Sequence, residues 1–160
     1  MPSPLASDPT QTSPLAAQNA PRQQAPPQPA APSYDMSNFQ AATQQMKLNP
    51  QEQALYQMHL QNLYGAGGVD NDGSDPNLPA GSRSTLYQTT FEVEGKNYVV
   101  PTVWGGKILP PDQAFQMAQQ YGLDKFPAYP SDQEAEVRYQ QMHGYMEKDT
   151  ATYLKSKGKK

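Results

Sequence analysis

The stretch from Thr85 to Trp104 reads TLYQTTFEVEGKNYVVPTVW, and it carries the clearest strand pattern in the chain. Large apolar side chains alternate with polar ones before Glu94-Gly95, at Tyr87, Phe91 and Val93. Such alternation predicts a strand with one buried face, and Glu94-Gly95 predicts a two-residue hairpin turn. The return strand meets Pro101, which has no N–H for a ladder, so we expect it to lie at an edge or to end there.

Helical patterns flank this hairpin on both sides. Asn49, Pro50 and Glu52 have the spacing of an N-cap, an N1 proline and the N3 acid of a capping box. A second helix is predicted from Pro111 to Gly122, and a third begins at the cap Ser131. The fold class is therefore α+β: a small domain with a β-hairpin, or three short strands if Ile108-Leu109 adds one, packed by two or three helices.

Composition divides the 160-residue chain into three parts. Nine of the 17 prolines lie in residues 1–33, among many Ala and Gln. Such a segment cannot bury enough apolar surface to offset the entropy lost on ordering. We therefore expect a disordered Pro/Gln/Ala-rich arm over 1–45, one folded domain over 46–147 and a Lys-rich tail that frays over 148–160.

Charge and residue content exclude several classes of function. Residues 46–147 hold six basic and twelve acidic side chains, which disfavours broad binding to a phosphate backbone. The chain has no Cys, so disulfides, Cys-based zinc sites and a thiol nucleophile are excluded. No window has the 18 or more apolar residues of a membrane-spanning helix. Nucleic acid is therefore an unlikely partner except through the tail lysines, Lys155, Lys157, Lys159 and Lys160.

The residue types that carry chemistry give no complete catalytic or metal signature. His59 and His143 lack further ligands at metal spacing, so we interpret both as packed or surface histidines. Asp70, Asp72 and Asp75 resemble the start of a calcium loop, but Gly81 occupies the place of the bidentate Glu. Asx turns are the favoured interpretation of that loop. We predict no catalytic residues, no metal and no cofactor.

Four apolar or aromatic residues are the candidates for partner binding. Tyr34, Met36 and Phe39 are the first large apolar side chains after Leu15, so they are suited to anchor the arm on a partner. Tyr129 is a weaker candidate on a Pro-flanked loop. The alternative is a plain solvated linker.

We also expect one shared core beneath the hairpin. Its members are one face of the strands and the inner stripes of two helices: Phe91, Tyr98, Trp104, Phe115, Tyr121, Tyr139 and Met142. Trp104, the single Trp, is interpreted as the largest core residue rather than as a binding anchor.

Several short motifs in order resemble a known family. Over about 100 residues the chain resembles a small uncharacterised domain of tailed-bacteriophage and prophage virion-associated proteins. The matching pieces are Asn49-Pro50-Gln51-Glu52-Gln53 with Tyr56 and His59, Gly68-Val69-Asp70-Asn71, Gly81-Ser82-Arg83-Ser84-Thr85, the hairpin from Glu94 to Trp104, and Phe126-Pro127-Ala128-Tyr129-Pro130-Ser131 with Tyr139 to His143. Residues 74–80 interrupt the family pattern as an insertion.

The resemblance implies a function but supplies no catalytic residues. It implies a non-enzymatic structural or accessory component of a tailed phage virion, in the capsid, neck, tail or interior, acting by protein–protein contacts. Its partners would be other virion proteins such as portal, tail, neck or capsid proteins, or further copies of the chain. Two alternatives stay open: an enzyme or enzyme accessory acting on the cell wall during genome entry, and a DNA-contacting virion protein that uses the Lys tail.

Overall fold

The computed structural model describes residues 34–158, and its centre is the predicted hairpin. Strands β3 (Thr89–Val93) and β4 (Lys96–Val100) pair antiparallel, with Phe91 opposite Tyr98. Glu94 and Gly95 both have positive φ, at 52° and 80°, as the tight turn requires. The second strand ends at Val100, directly before Pro101, which is one of the two outcomes predicted from the proline.

A third strand completes this sheet, but from a different segment than the sequence indicated. Strand β7 (Ala128–Tyr129) pairs antiparallel with β4, so β4 is the central strand in the order β3-β4-β7. The strand near Ile108 exists but forms a separate pair, β5 (Val103–Trp104) with β6 (Lys107–Ile108). A last pair joins β1 (Val69–Asp70) to β2 (Arg83–Ser84).

The predicted helices are present with their predicted caps. Helix α2 (Pro50–Tyr64) begins with the complete capping box of Asn49 and Glu52. Helix α3 (Pro111–Tyr121) ends at Gly122, and a 3-10 turn (Leu123–Lys125) follows it. Helix α4 (Asp132–Gly158) begins where Ser131 Oγ accepts the Glu134 N–H at 3.1 Å. The α+β class, with short strands packed by helices, is confirmed.

The expected boundary at residue 45 is corrected, because a helix precedes it. Helix α1 (Ser37–Met46) packs Ala42 into the core with no exposed surface. Tyr34, Met36 and Phe39 also pack against that core. The Pro-rich part of the expected arm, residues 1–33, lies outside the described residues, as do Lys159 and Lys160.

The expected boundary at residue 147 is corrected as well. Helix α4 continues through residues 148–158, and Asp149 is buried. The Asp149 carboxylate accepts the Tyr56 hydroxyl at 2.5 Å and the Asn38 amide at 3.0 Å. This side chain joins α1, α2 and α4, and a helix tethered in this way does not fray at residue 148.

The core is centred on α2 rather than on the hairpin. Its fully buried large side chains include Leu55, Tyr56, Leu60, Leu86, Val99 and Met142. The prediction holds for Tyr139 and Met142, which are buried, whereas Phe91, Tyr98 and Trp104 are half-buried against the core. Phe115 contacts Phe91 at 4.7 Å between ring centroids, and Tyr121 is wrongly included because it is 49% exposed.

Within the described residues, no helix has the combined length and apolar character needed to cross a membrane.

The Asp149 contacts generate a first prediction. Replacing Asp149 with Ala leaves the buried Tyr56 hydroxyl without its acceptor, which should lower the free energy of unfolding by about 1–3 kcal/mol. Urea denaturation measures this change. The matched control is Thr152→Ala, an exposed position on the same helix, where we expect a change within about 0.5 kcal/mol. Equal stability of the two variants would mean that residues beyond 147 add nothing to the fold.

Candidate functional site

The three predicted arm anchors contact the domain's own surface. The Tyr34 ring stacks on Tyr64 with centroids 4.7 Å apart, and Phe39 meets Tyr56 edge-on at 5.2 Å. Met36 packs beside them against the core. These side chains are therefore half-buried parts of the fold rather than members of a free arm, and their role in partner binding stays a prediction.

Tyr129, the fourth candidate, belongs to a buried polar network around Glu52. The Glu52 side chain is 1% exposed and accepts the Tyr129 hydroxyl at 2.6 Å. Arg138 donates to both Glu52 oxygens, from Nε at 2.7 Å and from Nη2 at 3.0 Å. The Asn49 N–H completes the set at 3.0 Å. Tyr129 is therefore fixed by an internal hydrogen bond, and a wide surface depression of about 440 Å³ opens beside it.

The protonation of Glu52 follows from these donors. Burial acts to raise the pKa of Glu52, but hydrogen bonds from Arg138, Tyr129 and the Asn49 N–H outweigh burial, so the pKa is lowered. Burial and the hydrogen bond to Glu52 raise the pKa of Tyr129. Glu52 is thus an ionised and fully engaged carboxylate. A general acid on a cell wall would instead need a raised pKa.

Arg83 closes the end of helix α2 and links two short polar motifs of the sequence, Gly68–Asn71 and Gly81–Thr85. Its guanidinium donates to the main-chain oxygens of Asn62, Leu63 and Gly65, at 3.0, 3.0 and 2.5 Å, which are carbonyls left free at a helix end. It also pairs with Asp70 at 2.7 Å. A Cβ on Gly68 would lie 2.5 Å from the Asn62 main-chain oxygen and 2.9 Å from Arg83 Nε, so glycine is required there. The two motifs pair with each other as strands β1 and β2. Their polar residues Asp70 and Arg83 therefore stabilise the fold.

A polar cleft lies beside this strand pair. Its volume is about 270 Å³, and its lining comes from α2, from residues 82–88 and from α4: His59, Ser82, Arg83, Ser84, Thr85, Leu86, Tyr87, Gln88, Tyr139, His143, Met146, Glu147 and Thr150. His59 Nδ1 lies 2.7 Å from Thr85 Oγ1. Within residues 34–158, His59 Nε2 is the one buried side-chain nitrogen or oxygen without a hydrogen-bond partner.

The His59 imidazole is held neutral by its surroundings. Burial, followed by the nearby His143, lowers the pKa of His59 to about 3, while the Met146 carbonyl acts in the opposite direction. The packed-histidine interpretation is confirmed for His59. In the described part of the chain, no group of three or more His, Asp and Glu side chains is placed to hold a metal ion.

The acidic loop bonds its own backbone, as the Asx-turn interpretation predicted. Asp72 Oδ1 accepts the Ser74 N–H and Asp75 Oδ1 accepts the Asn77 N–H, both at 2.9 Å. The third acid, Asp70, is engaged by Arg83.

An apolar groove lies between the first half of α2 and the end of α3. It has a volume of about 320 Å³, and its apolar lining is Pro50, Ala54, Leu55, Met58, Tyr121 and Phe126. Tyr121 lies across one side, with its ring 5.5 Å from Phe126 and 5.9 Å from Trp104. Lys125 Nζ lies 5.0 Å from the Tyr121 ring centroid, and Asp124 also lines the groove.

Sequence reasoning missed the groove and the cleft, although weak signals were present. Tyr121 lies on a helix face that the sequence assigned to the core. The cleft unites His59 with Ser84 and Thr85, which are 25 or more positions away, and no local pattern encodes that meeting.

No family model, curated protein or solved structure matches this chain.

The Glu52 network generates a second prediction. Removing the guanidinium with Arg138→Ala leaves the buried carboxylate without its charged partner. We expect a loss of about 3 kcal/mol in the free energy of unfolding, the low end of the range for buried pairs, because the Arg138 side chain is 27% exposed. Arg138→Lys, which keeps the charge but loses the two-pronged contact, should lie between that variant and the parent chain. Indistinguishable urea midpoints for all three proteins would contradict the network's importance.

The depressed pKa of His59 generates a third prediction, for pH dependence. An unfolded His has a pKa of about 6.5. Below that pH the unfolded chain therefore binds a proton at His59 that the folded chain does not bind. Stability from this group is present above pH 6.5 and is lost as pH falls toward about 3. We expect a contribution of up to about 1.4 kcal/mol per pH unit below pH 6.

Urea unfolding at a series of pH values tests this slope. His59→Gln should flatten the curve between pH 6 and pH 5, whereas His143→Gln, which changes a partly exposed residue, should keep most of it. A flat curve in the parent chain would contradict the neutral, buried state of His59.

Proposed function

We propose that this protein is a non-enzymatic structural or accessory component of a tailed phage virion, and that it acts by protein–protein contacts. The observation that carries the proposal is the apolar groove lined by Leu55, Met58, Tyr121 and Phe126. The family resemblance supplies the virion context. Association with a particle through such a surface requires no catalytic turnover. It requires only a segment of a partner protein with a complementary shape.

The groove has the composition of a contact surface. Aromatic side chains and Met are enriched where proteins bind one another, and Met adapts its shape to an incoming side chain. Tyr121 is half-exposed and anchored by aromatic contacts on its inner edge, so it is held in place before a partner arrives. Such an anchored ring loses little conformational entropy on binding.

Charge favours one kind of occupant. The residues from 46 to 147 carry twice as many acidic as basic side chains, while the groove itself is lined by one acid, Asp124, and one base, Lys125. The complementary occupant is an apolar segment of another virion protein that also carries basic residues, because opposite charge speeds encounter and disfavours wrong partners.

The tail lysines support the DNA-contacting alternative less well. Lys155 and Lys157 lie on the exposed last turns of α4, and Lys157 Nζ lies 5.7 Å from the Tyr153 ring centroid. The remainder of the described domain is acidic, so phosphate contacts would be confined to this helix end.

Particle incorporation tests the groove. The double substitution Tyr121→Ser with Met58→Ser should reduce the amount of the protein in purified particles at least tenfold, because interface anchors carry most of the binding energy. The measurement is quantitative mass spectrometry of virions made with each variant. Both side chains are incompletely buried, so we expect the fold to survive, and thermal melting checks it.

Val137→Ser is the matched control. Val137 is an exposed apolar residue outside the groove, at 50% exposure, and its loss should leave incorporation unchanged. Normal incorporation of a folded groove variant would rule out this surface. Absence of the parent protein from particles would reject the virion role itself.

A further inference from the structure

We propose that the outer edge of strand β3 (Thr89–Val93) pairs with the same strand of a second copy of this chain. The two β3 strands run antiparallel and join two three-stranded sheets into one sheet of six strands. The proposal is independent of the groove and of any role in a particle, because it concerns the purified chain alone. It rests on the direction of the β3 main chain, on the contrast between the two edges of the sheet and on the residues at the open edge.

The hairpin turn determines which residues of β3 point away from the sheet. In a hairpin with a two-residue turn, the pair that flanks the turn shares hydrogen bonds, and hydrogen-bonded and non-hydrogen-bonded pairs alternate from there. Val93 and Lys96 flank the turn, so Phe91 is the next residue of β3 that bonds to β4. Thr90 and Glu92 therefore direct their main-chain N–H and C=O groups outward.

Strand β4 gives independent evidence for this direction. Val99 lies opposite Thr90, and its N–H donates to the Pro127 carbonyl at 3.0 Å, on the side of β4 that faces β7. The main-chain N–H of Val99 therefore points away from β3, and the main chain of Thr90 points the opposite way. Within residues 34–158, no main-chain hydrogen bond reaches the outward groups of Thr90 and Glu92. Strand β3 thus presents two donors and two acceptors at its edge.

The two edges of this sheet differ in how they resist pairing. The far edge is β7 (Ala128–Tyr129), which has two residues and lies between Pro127 and Pro130. Short strands and prolines are common means by which proteins prevent pairing at an open edge, and lysine is another. Residues 88–93 contain no Pro and no Lys, and β3 is five residues long. The sheet is therefore protected at one edge and open to pairing at the other.

Two aromatic rings are partly uncovered at the open edge. Phe91 is half-buried on the outer strand, and the half-buried Phe115 of α3 contacts it with ring centroids 4.7 Å apart. In the described chain the strand order β3-β4-β7 places no strand beyond β3 to cover these rings. A second copy of β3 brings an identical pair of rings beside the first. Aromatic pairs contribute about 0.5–1.5 kcal/mol beyond the area that they bury.

Self-pairing satisfies this edge in one register, with Phe91 opposite Phe91 of the second copy. Each Thr90 then lies opposite a Glu92, and because both point outward, each of these two pairs exchanges two main-chain hydrogen bonds. Sliding one strand by two residues toward the turn would place the two Glu92 carboxylates opposite each other, which is destabilising. Sliding it the other way would place each Phe91 opposite Thr89 and separate the rings. The register centred on Phe91 avoids both penalties.

The net charge of the domain distinguishes a second copy from a partner of opposite charge. Residues 46–147 carry six basic and twelve acidic side chains, so two copies repel each other at low ionic strength. Salt screens that repulsion and should therefore strengthen the dimer, whereas it would weaken the binding of a basic partner.

Sedimentation and amide hydrogen exchange on the full chain, at a series of protein concentrations, test the proposal. We expect a weak dimer, with a Kd between about 1 μM and about 1 mM, because two short strands form an interface below ~1,200 Å². The amides of Thr90 and Glu92 should become protected from exchange as the concentration rises. The Phe91 amide, which donates within the hairpin, is the internal reference and should be protected at every concentration. Added NaCl should increase the dimer fraction.

Thr90→Pro separates pairing from folding. It removes an N–H that the monomer does not use, and proline is tolerated at such positions of edge strands, so the melting temperature of the dilute protein should stay near that of the parent chain. The dimer loses two hydrogen bonds, one from each copy, which should weaken association at least tenfold. The matched control is Thr90→Ala, which loses the same hydroxyl but keeps the N–H and should dimerise like the parent.

Three results would overturn the proposal. The first is a chain that sediments as a monomer at every concentration. The second is a dimer in which the amides of Thr90 and Glu92 stay unprotected, because such a dimer forms through another surface. The third is a folded Thr90→Pro variant that dimerises as tightly as the parent chain. If that variant does not fold, the exchange of the two amides in the parent chain decides.

Discussion

The buried carboxylate of Glu52 is the constraint on which the arrangement of the helices and the sheet depends. Four hydrogen bonds reach it, from the start of α2, from β7 and from the second turn of α4. The Arg138 guanidinium that makes two of them also donates to the Met46 carbonyl at 2.6 Å, at the end of α1. One charged pair therefore fixes the relation of three helices and a strand. A buried charge tolerates only a geometry in which its partners are in place.

Two other polar contacts extend the same principle along the molecule. Asp149 joins α1, α2 and α4 through Asn38 and Tyr56. Arg83 donates a hydrogen bond to a main-chain carbonyl at the end of α2. Each contact is directional, whereas the apolar core around Leu55 and Leu60 supplies attraction without specifying an angle. The domain thus combines a small apolar core with polar joints between elements, which suits a chain with only 36% apolar residues.

Local sequence patterns predict the helices and strands that they encode, but they do not predict the polar contacts that join those elements. The capping box at Asn49 and the hairpin at Glu94-Gly95 are determined by residues within four positions of each other, so the sequence predicted both. Helix α1 was missed because proline-rich composition nearby dominated the interpretation. The spacing of Met36, Phe39, Ala42 and Met46, with Asp35 accepting the Ser37 N–H, was a helical signal within that stretch. The extension of α4 depends on Asp149 meeting Tyr56, 93 positions earlier, and no window of sequence contains that contact.

Conspicuous polar residues such as Glu52, Asp70, Arg83 and Asp149 all have protein partners, so the fold alone accounts for their presence. His59 is different, because its Nδ1 contacts Thr85 while its Nε2 is closed off from solvent, with the Met146 carbonyl near the ring. A neutral imidazole in that state is a loss of stability that apolar packing could have avoided, since a Leu at this position of α2 would fill similar space.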